Sequence, residues 1–341
     1  MSRVKKPRVL LICGSLNQTS QLHQVAVELP DFICSFTPFY AVGPVEWLRR
    51  LGGVEATILG EKLRRRCLSY LHEHRLRVDL GGTAASYDLV VTCTDLFVPS
   101  NIRRRPLVVV QEGMTDPAGR WARLVRRSRL LPLWLAGTAL TATSGHYDRF
   151  CVASEGYREL FIQRGAPAHK LRVTGIPNFD DCIRYRNNTH AARHYVLACT
   201  SDLREVMRPD DRAGFIRRVR EVAAGRPIHF KLHPNENVAR ARREIARYCP
   251  GAVVHAEGSA ETLVANCDVL FTQYSSVAYV GLALGKEVHS YYELDELERL
   301  LPIQNGGRSA ANIADVCRTL LGVAPALPVS EATHTPMGAD G

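Results

Sequence analysis

Five short turns in this sequence place a group able to move a proton or hold an anion beside a residue that shapes the backbone around it. In Gln111-Glu-Gly-Met-Thr-Asp116 a carboxylate, Glu112, stands next to Gly113, whose missing side chain admits a close ligand. That pairing suits a general base acting on a hydroxyl, and equally a surface turn in which Glu112 caps the next helix. In Lys231-Leu-His-Pro234 the proline fixes the direction of His233, and imidazole donates a hydrogen bond to phosphate oxygen, more strongly when protonated. Tyr274-Ser-Ser276 puts two hydroxyls at a helix start, where free amides complete a phosphate cradle, although Ser275 reads as well as an ordinary N-cap. Thr200-Ser-Asp-Leu-Arg204 adds Ser201 and an arginine suited either to gripping a diphosphate or to a solvated helix face. Gly14-Ser-Leu-Asn-Gln18 would let a ligand approach the backbone at Gly14, Ser15 and Asn17, but it lacks the G-x-G-x-x-G spacing of a dinucleotide site.

Such groups act together only if the fold brings their turns to one place. Short, continuously apolar runs at 8–13, 88–92, 106–110 and 149–153 predict buried strands, and the segment from Gln18 to Leu29 takes helical spacing. After Val173-Thr-Gly-Ile-Pro-Asn178 comes a polar stretch, and then the alternation restarts. Strands are predicted at 195–199, 227–231, 252–255 and 268–272, with helices over 210–224, 237–248, 259–267, 275–284 and 310–321. Strands that alternate with helices in this way imply parallel sheets covered on both faces. The expected organisation is a first Rossmann-like domain over 1–180, a linker over 181–193, a second domain over 194–322 and a disordered Pro-, Ala- and Thr-rich tail over 323–341. In open parallel sheets ligands sit beyond the carboxyl ends of the strands, and each of the five turns follows a predicted strand.

Composition sets the outer limits. The chain has 341 residues, 46% apolar and 23% charged, enough for two ordinary cores and unlike a disordered or fibrous protein. A net charge of +10, carried largely by arginine as in 103–105 and 120–129, favours anionic partners. In 120–129 the arginines interleave with Trp121 and Leu124, a pattern suited to an anionic membrane surface or to a plain solvated helix. The ten cysteines show no C-x-x-C pair and no histidine at metal-ligand spacing, so reduced thiols and no metal site are expected. Met1 to Arg8 is a short basic lead into a strand, not an apolar leader, and Leu130 to Ala142 is too short to span a bilayer. A cytoplasmic protein, at most peripheral on the inner membrane face, is the expectation.

Lys231-Leu-His-Pro234 and Tyr274-Ser-Ser276, followed by Val280-Gly-Leu-Ala-Leu-Gly-Lys286, resemble the C-terminal donor domain of GT-B enzymes. The pattern is similar to bacterial CDP-glycerol glycerophosphotransferases and to bacterial sialyl- and Kdo-transferases with paired H-P and S-S motifs. Residues 151–160 and 171–177 also resemble the end of the N-terminal domain in those families and in UDP-N-acetylglucosamine 2-epimerases. The likeness covers most of residues 85 to 290. It implies two Rossmann-like domains facing a cleft, and transfer of a sugar or glycerophosphoryl group from a nucleotide-activated donor to a glycan, lipid-linked or small-molecule hydroxyl. No separate cofactor, metal or nucleic acid is expected.

Where sialyltransferase-like families carry a D/E-D/E-G base motif, this chain has Gln111-Glu112-Gly113, which leaves Glu112 alone in that role. The resemblance gives donor phosphate to His233, Ser275 and Ser276; Lys231, Ser201 and Arg204 are expected alongside them, and Gly14, Ser15, Asn17, Gly113 and Asn178 are expected to line the acceptor side. An epimerase ranks second, because its G-T-R-P-E opening is absent and its histidine-arginine turn is replaced by Thr200-Ser-Asp-Leu-Arg204. A non-catalytic membrane-surface or nucleic-acid binding protein on the same scaffold is the third expectation.

Overall fold

A computed structural model describes residues 6–40, 60–117, 119–128, 131–205 and 208–324. Met1–Lys5, Arg129, Leu130 and the tail from 325 onward, all part of the expectations above, lie outside the described residues.

Two parallel sheets organise the chain. β1 (Arg8–Cys13), β2 (Ile33–Pro38), β3 (Leu89–Thr92), β4 (Leu107–Val110), β5 (Arg149–Val152) and β6 (Leu171–Val173) form the first, in the order β2-β1-β3-β4-β5-β6. β7 (Val196–Cys199), β8 (Ile228–Lys231), β9 (Val253–His255), β10 (Val269–Thr272) and β11 (Glu287–His289) form the second, in the order β11-β10-β7-β8-β9. Helices cover both faces, so β3, β4, β7 and β10 are buried throughout, and apart from the terminal Thr92 and Thr272 they are apolar. Strand order reverses direction beside β1 in the first sheet and beside β7 in the second. Such switch points open a crevice at the strand ends.

The α-helices among the described residues are α1 (Leu16–Val27), α2 (Glu61–Glu73), α3 (Arg120–Arg127), α4 (Glu155–Gln163), α5 (Arg212–Ala223), α6 (Val238–Tyr248), α7 (Ala260–Asn266), α8 (Val277–Ala283), α9 (Leu294–Leu300) and α10 (Ser309–Leu320). One core runs from the first sheet to the second, joining Val109, Phe150 and Tyr157 to Leu197, Leu270 and Tyr279. At its centre the hydroxyls of Tyr157 and Tyr279 meet at 2.8 Å. Beside it α4 and α9 approach so closely that a Cβ on Gly156 would fall 1.9 Å from the Arg299 carbonyl oxygen, so only glycine fits. The residues expected as a second domain, 194–322, include α10, yet this helix packs on the first sheet. Its Ala310, Ile313, Ala314 and Cys317 recur at helical spacing and bury against the core of Val9, Leu11 and Val91, and Arg318 pairs with Asp31 at 2.8 Å.

The polar stretch 181–193 passes over the second sheet. There His190 stands near His255, whose Nε2 lies 3.1 Å from Nδ1 of His229, and His229 stacks flat on Tyr195 with ring centroids 4.0 Å apart. Burial first, and neighbouring imidazoles next, hold His229 and His255 below the ordinary histidine value. As pH falls through about 6.5 the unfolded chain takes up protons that the folded chain resists, so stability is present above that pH and lost below it. The melting temperature is expected to drop by several degrees between pH 7.5 and pH 5.5. His229→Phe, which keeps the stacking but cannot titrate, should flatten the profile, and parallel profiles for the two proteins would remove the cluster as the cause. No helix among the described residues is long and apolar enough to cross a membrane.

Candidate active site

The carboxyl ends of both sheets face a cleft of about 690 Å³. Its first wall is built by the turns after β1, β3 and β4, with Asn17 and Gln18, Cys93 to Phe97, and Gln111 to Asp116; its second wall is built by the turns after β7, β8 and β10. The walls approach closely where a Cβ on Gly113 would lie 3.9 Å from that of Ser276.

Glu112 is held from below by α1. Ser15 caps that helix by accepting from the Gln18 amide at 3.1 Å and donates its hydroxyl proton to Glu112 Oε1 at 2.7 Å. Gln18 accepts from the Gly14 amide at 2.9 Å and donates to Glu112 Oε2 at 2.5 Å. Both carboxylate oxygens are thereby fixed in direction, while each retains a lone pair. Gln111 braces the next residues, donating to the Gly113 carbonyl at 2.8 Å and accepting from the Ala153 amide at 3.0 Å. Arg164 ties the far end of the turn through the Thr115 hydroxyl and the Asp116 carbonyl. Cys93 stands beside Glu112; burial, and after it the Glu112 charge, push its thiol well up, so it stays protonated.

On the second wall, the turn after β8 carries His233 into the cleft lining, with Pro234 directly after it. Its backbone amide is held by Thr200 Oγ1 at 3.2 Å and Glu236 Oε2 at 3.1 Å, and its Nδ1 lies 3.4 Å from Asp202 Oδ2. Ser275 accepts weakly from the Val277 amide at 3.4 Å, Ser276 makes no capping bond, and both residues line the cleft. Ser201 also lines it, and its hydroxyl is buried with no hydrogen-bond partner among the described residues.

Glu112, Gly113, Asn17, His233, Ser201, Ser275 and Ser276 thus share one cleft, whereas five other expected site residues do not line it. Lys231 is buried on β8, its ammonium donating to the Leu232 carbonyl at 3.0 Å. Arg204 spends both terminal guanidinium nitrogens on Glu244, at 2.7 Å each, and its Nε stands 3.1 Å from the Asp210 carboxylate as an ion pair. Gly14 has no room for a ligand, since a Cβ there would meet Gln18 Oε1 at 2.3 Å. Ser15 reaches the cleft only through Glu112. Asn178 fastens its turn to α1, donating to the Asn17 carbonyl at 3.0 Å.

Sequence reasoning missed Arg208, Gln18 and Tyr292. Arg208 lines the cleft from the second wall and stands 3.7 Å from Asp116 of the first. It was hidden because it follows β7 by nine residues and belongs to no recognisable turn. Burial, then the Asp116 charge, push the Tyr292 hydroxyl up to about 12, leaving it a hydrogen-bond donor at the rim. Among the described residues no cluster of three or more His, Cys, Asp or Glu side chains is arranged to hold a metal ion.

No protein-family model matches this chain, and no curated protein matches it. Solved structures do. The wall teichoic acid polymerase TagF superposes with a TM-score of 0.54 at 12% identity, over 93% of this chain and 89% of that one. UDP-GlcNAc 2-epimerase from Neisseria meningitidis, bound to UDP-GlcNAc, gives 0.55 at 11% identity, over 92% and 100%. HepE from Anabaena, in complex with UDP, gives 0.51 at 16% identity, over 92% and 90%. Two parallel-sheet α/β domains that superpose on these proteins over nearly the whole chain give this protein the GT-B-like fold.

Proposed function

We propose that the chain is a transferase that moves a sugar or glycerophosphoryl group from a nucleotide-activated donor to an acceptor hydroxyl. The observation that carries this reading is the opposition of one hydrogen-bonded carboxylate, Glu112, on the first wall to His233, Ser275 and Ser276 on the second. The acceptor O–H gives its proton to Glu112, its oxygen bonds to the transferred group, and the bond to the nucleotide phosphate breaks. The charge left on that phosphate is met by the hydroxyls of Ser201, Ser275 and Ser276, by His233 and by Arg208. Arg208 takes the place first given to Arg204 and Lys231, and the acceptor side is reduced to Asn17 and Gly113. The similar proteins bound to UDP and UDP-GlcNAc support a nucleotide-linked donor. Ten unpaired cysteines support a cytoplasmic setting.

A thermal-shift panel of CMP, CDP, UDP and GDP compounds tests the reading. Ligand at 100 times its Kd stabilises the folded state by about 2.7 kcal/mol, so one base is expected to raise the melting temperature clearly above the others. His233→Ala should diminish that rise. No response to any nucleotide would dispose of the donor site. The same fold serves UDP-GlcNAc 2-epimerases, and incubation with UDP-GlcNAc in deuterated water separates the two activities, since transfer alone puts no deuterium at carbon 2.

A further inference from the structure

At the rim of the cleft α3 and the 3-10 segment Leu133–Leu140 close on a small core of their own, made of Ala122, Val125, Ala139 and Leu140 and separate from the cores under the sheets. The inner side of this unit is taken up by that core. Its outer side carries Trp121 and Leu124, one helical turn apart and 52% and 53% exposed, with Trp134 and Leu135 at 49% and 36%. Trp121 Nε1 donates to the Leu135 carbonyl at 3.0 Å, which joins the helix and the 3-10 segment into one surface. A lone exposed leucine is ordinary, but two tryptophans and two leucines gathered on one rim are not.

The surroundings of this patch are cationic. Arg120, Arg123, Arg126 and Arg127 are exposed on the same helix, and the sequence has no Asp or Glu from Pro117 to Tyr147. Arg120, Arg123 and Arg127 have no acidic partner among the described residues. Nucleic acid would use the arginines but would leave the apolar side chains in water. A bilayer interface uses both, since indole and leucine side chains enter the headgroup boundary while guanidinium groups stay at the lipid phosphates. We propose that this rim docks the protein on an anionic membrane surface, with α3 lying along the headgroup layer. The patch opens on the cleft, because Trp134 belongs to both and Gly137 and Thr138 continue into the cleft lining. Resting on the transferase reading, this placement makes a lipid-anchored hydroxyl compound the acceptor class.

Co-sedimentation of the full chain with vesicles tests the docking surface. Retention is expected on phosphatidylcholine vesicles containing phosphatidylglycerol, and much weaker retention on phosphatidylcholine alone or at high salt. The pair Trp121→Ser and Leu124→Ser, and separately Arg120, Arg123 and Arg127→Gln, should each lower partitioning by about tenfold or more. The nucleotide-induced thermal shift should be unchanged in both, which shows that the fold is intact. Retention unaffected by either set, no retention on anionic vesicles, or binding to duplex DNA in place of lipid would each overturn the proposal. Lipid retention without any nucleotide response would sink the transferase reading and leave docking standing; a nucleotide response without retention would do the reverse.

Discussion

Glu112→Gln is expected to lower turnover by a factor of ~10² to ~10⁴ while the thermal shift given by the preferred nucleotide persists. The size follows from losing a proton acceptor, and the persistence follows from the hydrogen bonds. In the native protein Ser15 donates to Oε1 and Gln18 donates to Oε2. In the variant the Gln18 amide still finds a carbonyl oxygen, and the Ser15 hydroxyl rotates to accept from the new amide nitrogen, because a hydroxyl carries two acceptor lone pairs beside its proton. The cap on α1 and the course of residues 111–116 are thereby kept, and the proposed nucleotide site lies on the opposite wall. Single-turnover transfer and nucleotide thermal shifts, measured on the same preparation, read the two effects separately. Loss of the thermal shift in the variant, or turnover within a few-fold of native, would remove Glu112 from the role of base.

The two-sheet architecture was legible because buried parallel strands have to be apolar on both faces. Runs such as Val-Leu-Leu-Ile at 9–12 and Leu-Val-Val-Val at 107–110 therefore announced themselves, and the turns that follow them pointed to the cleft. Elements without that constraint were not seen. β2 at one edge, Ile-Cys-Ser-Phe-Thr-Pro, mixes polar residues into its run; β6 and β11 have three residues each; and α2 is dominated by charge. The course of α10 back onto the first sheet was equally invisible, since helical spacing shows that a face is apolar and not what it will meet. At the site, turns locked by Pro234 or relaxed by Gly113 were readable as close approaches to a ligand. The fate of each charged side chain was not. Whether Arg204 or Arg208 faces the cleft depends on Glu244 and Asp210, which lie 40 and 6 residues further on and capture Arg204.

The same ion pairs lead to the largest stability effect to be expected in the second half. Arg212 is 5% exposed; its Nε lies 3.1 Å from Asp210 and its Nη2 lies 2.8 Å from Glu236, two carboxylates with no exposed side-chain surface, and it also donates to the Ser201 carbonyl at 2.9 Å. Glu236 in turn accepts from the Thr200 hydroxyl and the His233 amide, while Asp210 accepts from Gln273 at 3.0 Å. One guanidinium therefore ties together the turns after β7, β8 and β10, which carry Ser201, His233, Ser275 and Ser276 of the cleft lining. Arg212→Met fills similar space but strands the Glu236 charge in the interior; Asp210 keeps Arg204. Breaking a buried pair from one side costs about 3–5 kcal/mol, and denaturant unfolding should register a loss of that order. Nucleotide binding should weaken with it, because Ser201 and His233 lose their shared support. Adding Glu236→Gln removes the stranded charge, so the double variant should regain part of the loss, a non-additivity that a merely poor fit of methionine would not produce. A single-variant loss below about 1 kcal/mol, or strictly additive effects, would show that the three turns hold their positions without this network.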